Sequence, residues 1–234
     1  MGDTLLQSTP EDPELKESKL DELKLGKGGI ILVRHGEGEH NVKHIYSSHP
    51  NNPDYQPVRL TDRGRAQVRD TANKLLALGI ASDKVCKIIA SPLPRTIETA
   101  DILIGKLQIP LFKKEVDARA IEADAGKRDG HDYLQYKEAD FWFPENPEQF
   151  GGETPDAIEK RMTSLLNTIV NDSECDLENQ YVIVVSHGSP ILLTQQLLGL
   201  GDERLDTAGF QIIAYYTLQK TITPTLAPKD SSKK

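Results

Sequence analysis

Three apolar, largely β-branched runs in this chain stop abruptly at polar residues, and this repeated pattern limits the fold more than any other feature. Ile30-Ile31-Leu32-Val33 ends at Arg34-His35-Gly36-Glu37, Val85 to Ala90 ends at Ser91-Pro92-Leu93-Pro94-Arg95-Thr96, and Tyr181 to Val185 ends at Ser186-His187-Gly188. Runs of this kind read as buried strands, which is the habit of parallel sheets covered by helices. Helix signals fall between them. Thr61 or Asp62 is the expected N-cap of a helix carrying Ala66, Val68, Ala72, Leu75 and Leu76, with Gly79 as its stop. Ser91 as N-cap and Pro92 as first helical residue predict a helix to about Lys106, which puts Arg95 in its first turn. Thr154 and Pro155 open a helix with Ile158, Met162, Leu165, Leu166, Ile169 and Val170 on its apolar side, and another runs from Pro190 to about Leu198. A shorter strand is expected over Pro110 to Val116 and a last one over Phe210 to Leu218.

At 234 residues the chain suits one sizeable core. Residues 1–27 read as an arm, 28–220 as the folded domain, and 221–234 as a disordered tail. From about 122 to 152 neither helical nor strand periodicity is clean, and Tyr133, Tyr136, Phe141, Trp142, Phe143 and Phe150 lie among acids. This predicts an irregular cap over the sheet edge. The polar stretch from His44 to Pro57 reads as a loop able to fold over a ligand. A net charge of -8 argues against nucleic acid or an anionic membrane as partner, so any anion site must be a local pocket. The 2 cysteines, Cys86 and Cys175, offer no disulfide framework and no Cys-x-x-Cys pair. That cysteine usage fits a reducing compartment, and with no signal pattern and no apolar span the expectation is a soluble, cytoplasmic protein.

In open α/β sheets ligands bind beyond the carboxyl ends of the strands. Arg34, His35, Arg95 and His187 all fall at such ends or in the turn that follows, so a parallel sheet gathers them along one edge. Two guanidinium groups suit the bidentate holding of phosphate oxygens, and two imidazoles supply a nucleophile or acid/base group and a further donor. Glu122 adds a carboxyl that could act as general acid.

Arg34-His35-Gly36-Glu37 at a strand end, Arg95 four residues after Ser91, Glu122-x-x-x-Gly126, Gly152-Glu153-Thr154 and the late Ser186-His187-Gly188 together resemble the histidine phosphatase superfamily, in its phosphoglycerate-mutase-like branch. The likeness extends from about Ile30 to Leu218. It implies a three-layer α/β/α sandwich with a mostly parallel central sheet and chemistry that needs neither metal nor cofactor. A small phosphorylated substrate is the expected partner, and phosphosugar, nucleotide, small organic phosphate and phosphoprotein all stay open. On the same likeness His35 is the histidine that becomes phosphorylated, and Arg34, Arg95, Asn41 and His187 bind the phosphoryl group. Glu122 protonates the leaving oxygen and then activates water, with Asp124 as the fallback. The oligomeric state is left open.

Two departures stand out. Gly38 occupies a position where relatives often carry a hydroxyl, so a backbone N–H is expected to replace that donor, and the segment between Asn41 and Leu60 is longer than in the mutases. Within the family, a mutase must hold a second phosphate in a dry, cationic cap. Here Asp124, Asp129, Asp132, Glu138, Asp140, Glu145 and Glu148 outnumber Lys127, Arg128 and Lys137, which favours a phosphatase. Three other readings are weaker. His40 and His44 stand four apart and could share a metal, but no glutamate lies between them. Neither cysteine opens a Cys-x5-Arg loop of the kind a cysteine phosphatase uses. A non-catalytic module binding phosphorylated ligands is disfavoured because His35 and Glu122 are both present.

Overall fold

A computed structural model describes residues 27–135 and 147–221. The expectations for the N-terminal arm and for the tail beyond Thr221 lie outside the described residues, as do Tyr136, Phe141, Trp142 and Phe143 of the cap. Five strands form one sheet: β1 (Gly29–Arg34), β2 (Val85–Ala90), β3 (Lys114–Val116), β4 (Tyr181–Ser186) and β5 (Phe210–Ala214). Their order is β3-β2-β4-β1-β5, with every pairing parallel except β1 with β5.

Strand alternation explains the layering. Ile31 and Val33 of β1, with Ile183 and Val185 of β4, face the helices α2 (Asp62–Ala77) and α3 (Pro94–Leu107) through Val68, Leu75, Leu103 and Leu107. Ile30 and Leu32, with Val182 and Val184, face α4 (Pro155–Val170) and α5 (Gly188–Leu197) through Ile158, Met162, Leu166 and Ile191. A short helix, α1 (Glu39–Lys43), follows β1, and α6 (Tyr215–Thr221) closes the described chain. The result is the expected three-layer α/β/α sandwich.

Local chemistry fixes several boundaries. The Thr61 hydroxyl caps α2 by accepting from the Gly64 amide (2.9 Å) and itself donates to the Glu37 carboxylate (2.7 Å). That contact brings α2 onto the loop after β1, where a side chain on Gly36 would run into the Gly64 carbonyl and Val68. Thr154 caps α4 in the same way, with Pro155 at its first position.

Four expectations need correction. The α3 helix starts at Pro94 with Leu93 as N-cap; the Ser91 hydroxyl bonds to His187 (2.8 Å) and makes only a long contact with the Leu93 amide (3.4 Å). The third strand is confined to Lys114–Val116 and follows a 3₁₀ turn over Leu111–Lys113. The last strand ends at Ala214, opposite Gly29 at the start of β1. After one further backbone bond, from the Tyr215 amide to Gly28 O (3.2 Å), the chain coils into α6 and buries Leu218. Lastly, Cys86 and Cys175 form a disulfide with Cα atoms 5.6 Å apart, tying β2 to the turn that precedes β4. Their separation of 89 residues hides the pair from any local reading, and the argument from cysteine usage for a reducing compartment falls with it. Among the described residues no helix is long and apolar enough to cross a membrane.

Candidate active site

The parallel strands deliver the polar cluster as the sequence implies. The His35 amide donates to Ser186 O (3.0 Å), so the ends of β1 and β4 stay in register and His187 lies beside His35, with ring centroids 5.1 Å apart. Arg95, in the first turn of α3, is fully buried and lines the cavity beside them. One cavity of about 60 Å³ is lined by Arg34, His35, Asn41, Arg95 and Glu122, while His187 sits directly behind it, bonded to Arg95. All six residues picked from the sequence therefore converge.

The hydrogen bonds assign the tautomers. His35 Nδ1 faces the Gly36 carbonyl at 2.7 Å, and since a carbonyl only accepts, Nδ1 carries the proton and Nε2 keeps its lone pair. His187 is the reverse. Arg95 Nη2 donates to His187 Nδ1 (3.0 Å), so Nε2–H points to the Ser91 hydroxyl (2.8 Å). Burial pushes both imidazoles well below the ordinary histidine value, the Arg95 guanidinium lowers them further, and His35 is lowered again by His40 and Arg34. Both rings are thus neutral at neutral pH. Burial also lowers Arg95 to about 10, with Glu122 opposing that fall, and Arg95 still carries its charge.

What these cations lack is as informative as what they touch. Among the described residues Arg95 Nε and Nη1 and Arg34 Nε are buried without hydrogen-bond partners, while Arg34 Nη1 donates to Leu205 O (2.7 Å). A buried guanidinium with unused N–H groups is costly unless an anion completes it. Asn41 holds the loop with its Oδ1, which accepts from the Gly38 amide (2.9 Å), leaving its side-chain amide group for the cavity. Among the described residues the Glu122 carboxylate bonds only the amide of Ala123, through Oε1 (2.9 Å), and its charge acts on both Arg34 and Arg95. Asp124 is otherwise engaged: its Oδ1 accepts from Asn52 Nδ2 (2.6 Å) and the Gly126 amide (2.7 Å).

Sequence reasoning missed several lining residues. Arg128, expected as readily at the surface as inside, turns inward with 4% of its surface exposed, its guanidinium near the Tyr46 and Phe150 rings at 5.1 and 4.9 Å. Arg204 reaches the cavity from the loop before β5, and its guanidinium occupies the space a side chain on Gly188 would need. Tyr46, Ser47 and Ser48 arrive from the long loop after α1, fastened by Asp129. Flanking glycines at Gly126 and Gly130 signal a turn, but nothing local says which way Arg128 faces. The paired-histidine idea finds no support. His40 packs near His35 while His44 faces Tyr133 (centroids 5.6 Å apart), and among the described residues no three potential ligands cluster.

With this geometry in place, likeness to known proteins decides the family. The family model of the histidine phosphatase superfamily (branch 1) matches residues 30–222. The chain belongs to this superfamily. Among similar proteins, the serine/threonine-protein phosphatase Pgam5, mitochondrial, of Drosophila yakuba is 31% identical over 192 residues, covering 80% of this chain and 56% of that protein. Phosphoglycerate mutase-like protein 4 of Arabidopsis thaliana is 28% identical over 191 residues, covering 76% of this chain and 74% of that one. The chain spans about half the length of the Drosophila relatives it matches. The fold is shared with a mycobacterial glucosyl-3-phosphoglycerate phosphatase (TM-score 0.59, 23% identity, 77% of this chain and 87% of that one). It is shared also with the alpha-ribazole phosphatase of Shigella flexneri (TM-score 0.56, 22% identity, 77% and 87%).

Proposed function

We propose that this histidine phosphatase superfamily member hydrolyses a small phosphomonoester through a phosphohistidine on His35. One observation carries the reading: a neutral His35 whose Nδ1–H is spent on Gly36 O, leaving the Nε2 lone pair in a cavity with unpartnered Arg34 and Arg95 donors. In the proposed reaction Nε2 attacks phosphorus in line while the two arginines hold the equatorial oxygens. The P–O bond to the leaving group breaks, and Glu122, as the acid in its protonated form, gives that oxygen its proton. The resulting carboxylate takes a proton from water, which attacks the phosphohistidine and releases phosphate and free His35. Asn41 and the Arg95–His187 pair steady the transferring group.

A mutase is the second reading, and one specific observation favours it. Arg128 forms no ion pair with a carboxylate among the described residues although it is buried in the same cavity, so the acid-rich cap does hold an inward cation. The cytoplasmic placement forms no part of the proposal: Cys86 and Cys175 are bonded to each other, and the Drosophila relatives are named as mitochondrial.

The test is phosphate release from a panel of phosphorylated metabolites and 4-nitrophenyl phosphate, with EDTA present and absent. Release unaffected by EDTA is expected, and a parallel assay follows isomer exchange of 3-phosphoglycerate with catalytic 2,3-bisphosphoglycerate. Rapid exchange with negligible phosphate release would replace hydrolysis by the mutase reading. No turnover of any ester, with phosphate binding intact, would leave a binding module.

A further inference from the structure

A third imidazole in the cavity belongs to none of the roles above. His40 lies in α1 with 8% of its surface exposed, its ring 5.3 Å from that of His35. Burial holds it well below the ordinary histidine value, and Arg95, Arg34 and Arg204 lower it further. Among the described residues its buried Nδ1 has no hydrogen-bond partner and no protein atom bonds Nε2. In a neutral ring the proton then belongs on Nε2, since a partnerless acceptor costs less than a buried N–H with nowhere to point.

The neighbouring glycine explains why His40 can be there. A Cβ on Gly38 would stand 2.7 Å from His40 Nδ1 and 2.9 Å from Cε1, so any side chain at 38 competes with this ring for one space. Nor can the Gly38 amide serve an anion, as expected from the sequence, because it donates to Asn41 Oδ1 (2.9 Å). The Gly38–His40 pair thus trades a side chain at 38 for an imidazole at 40.

From this we propose that His40 Nε2–H is a hydrogen-bond donor to the phosphoryl oxygens, filling the room that Gly38 leaves open. The inference rests on the phosphatase reading for its ligand, an oxyanion bound beside His35, but it makes its own reciprocal prediction. His40→Ala removes the donor and vacates the space. Gly38→Ser brings in a hydroxyl but drives it against the ring. In the double variant the hydroxyl has both room and ligand.

The experiment measures inorganic phosphate affinity by calorimetry, and KM and kcat for 4-nitrophenyl phosphate, across wild type, His40→Ala, Gly38→Ser and Gly38→Ser/His40→Ala. Thermal melts identify any variant that fails to fold. Roughly tenfold weaker phosphate binding is expected for His40→Ala, in keeping with the loss of one hydrogen bond to a charged group. Gly38→Ser should be similarly impaired, and the double variant should bind better than either single one. Unchanged phosphate affinity in His40→Ala overturns the proposal. So does a double variant no better than His40→Ala, which would give the ring a packing role alone. If wild type binds phosphate but hydrolyses nothing, the phosphatase reading fails while the affinity series still decides the role of His40.

Discussion

The floor of the cavity and the cap above it both bury charge, but they settle that charge in opposite ways. In the cap, Asp129 is wholly buried and accepts from the Ser48 amide and hydroxyl, the His49 amide and Asn52 Nδ2, all within 2.8 to 3.0 Å. Glu153 is likewise gripped by Arg161 through Nε and Nη2 (2.7 and 2.9 Å). On the floor, Arg95 is as deeply buried and yet leaves Nε and Nη1 empty-handed. Matched buried charges hold a structure together, whereas unmatched ones are tolerated where a ligand completes them. Asp129 and Asp124 therefore serve to pin the long loop after α1, and a count of the cap's acids says little about the field a substrate meets. This is why counting acids against bases misjudged Arg128.

Paired variants break or sharpen this contrast. Arg95→Met should lower kcat/KM roughly a hundredfold or more, the scale of losing a preorganised donor to developing charge, while leaving the melting temperature unchanged or raised. Asp129→Ala should instead cost about 3 kcal/mol, because it strands several buried donors, with a smaller catalytic loss than Arg95→Met. Denaturant titration beside steady-state kinetics checks both. Comparable destabilisation by the two substitutions would erase the distinction.

A smaller effect concerns pH. His35, His40 and His187 all titrate well below their ordinary value when folded, burial being the main cause and Arg95 the next. In the unfolded chain each returns to about 6.5. Below that pH the unfolded state binds the extra protons, so stability is fully present above about pH 6.5 and is lost as pH falls toward the folded values. Melting temperature should drop between pH 7.5 and 5.5, and His40→Phe should make the drop shallower. A profile as steep in His40→Phe as in wild type would remove His40 from this account.

Much of this architecture is legible along the chain because its causes are local. Ile30 to Val33 and Tyr181 to Val185 announce strands by composition, Thr61 and Thr154 announce caps, and the polar residues that follow the strands are carried to one edge by parallel pairing. What stays hidden depends on contacts between distant segments. Cys86 meets Cys175 only because β2 and β4 are neighbours in the sheet. The Ser91 hydroxyl makes its short bond to a histidine 96 residues away. Arg128 turns inward because Tyr46 and Phe150 offer it ring faces, and neither is near it in sequence. By spacing alone His40 pairs with His44, and it is the ring of His35 and the bare backbone of Gly38 that draw it into the cavity.

The central claim is that the His35 Nε2 lone pair takes up the phosphoryl group, and trapping the phosphoenzyme tests it most directly. Wild type mixed with a radiolabelled aryl phosphate and quenched in alkali, where a phosphoimidazole survives, should retain label that acid removes and that peptide mapping assigns to His35. His35→Ala should retain none while remaining folded by thermal melt. Label that persists in His35→Ala, or that maps to another residue in wild type, would contradict the account.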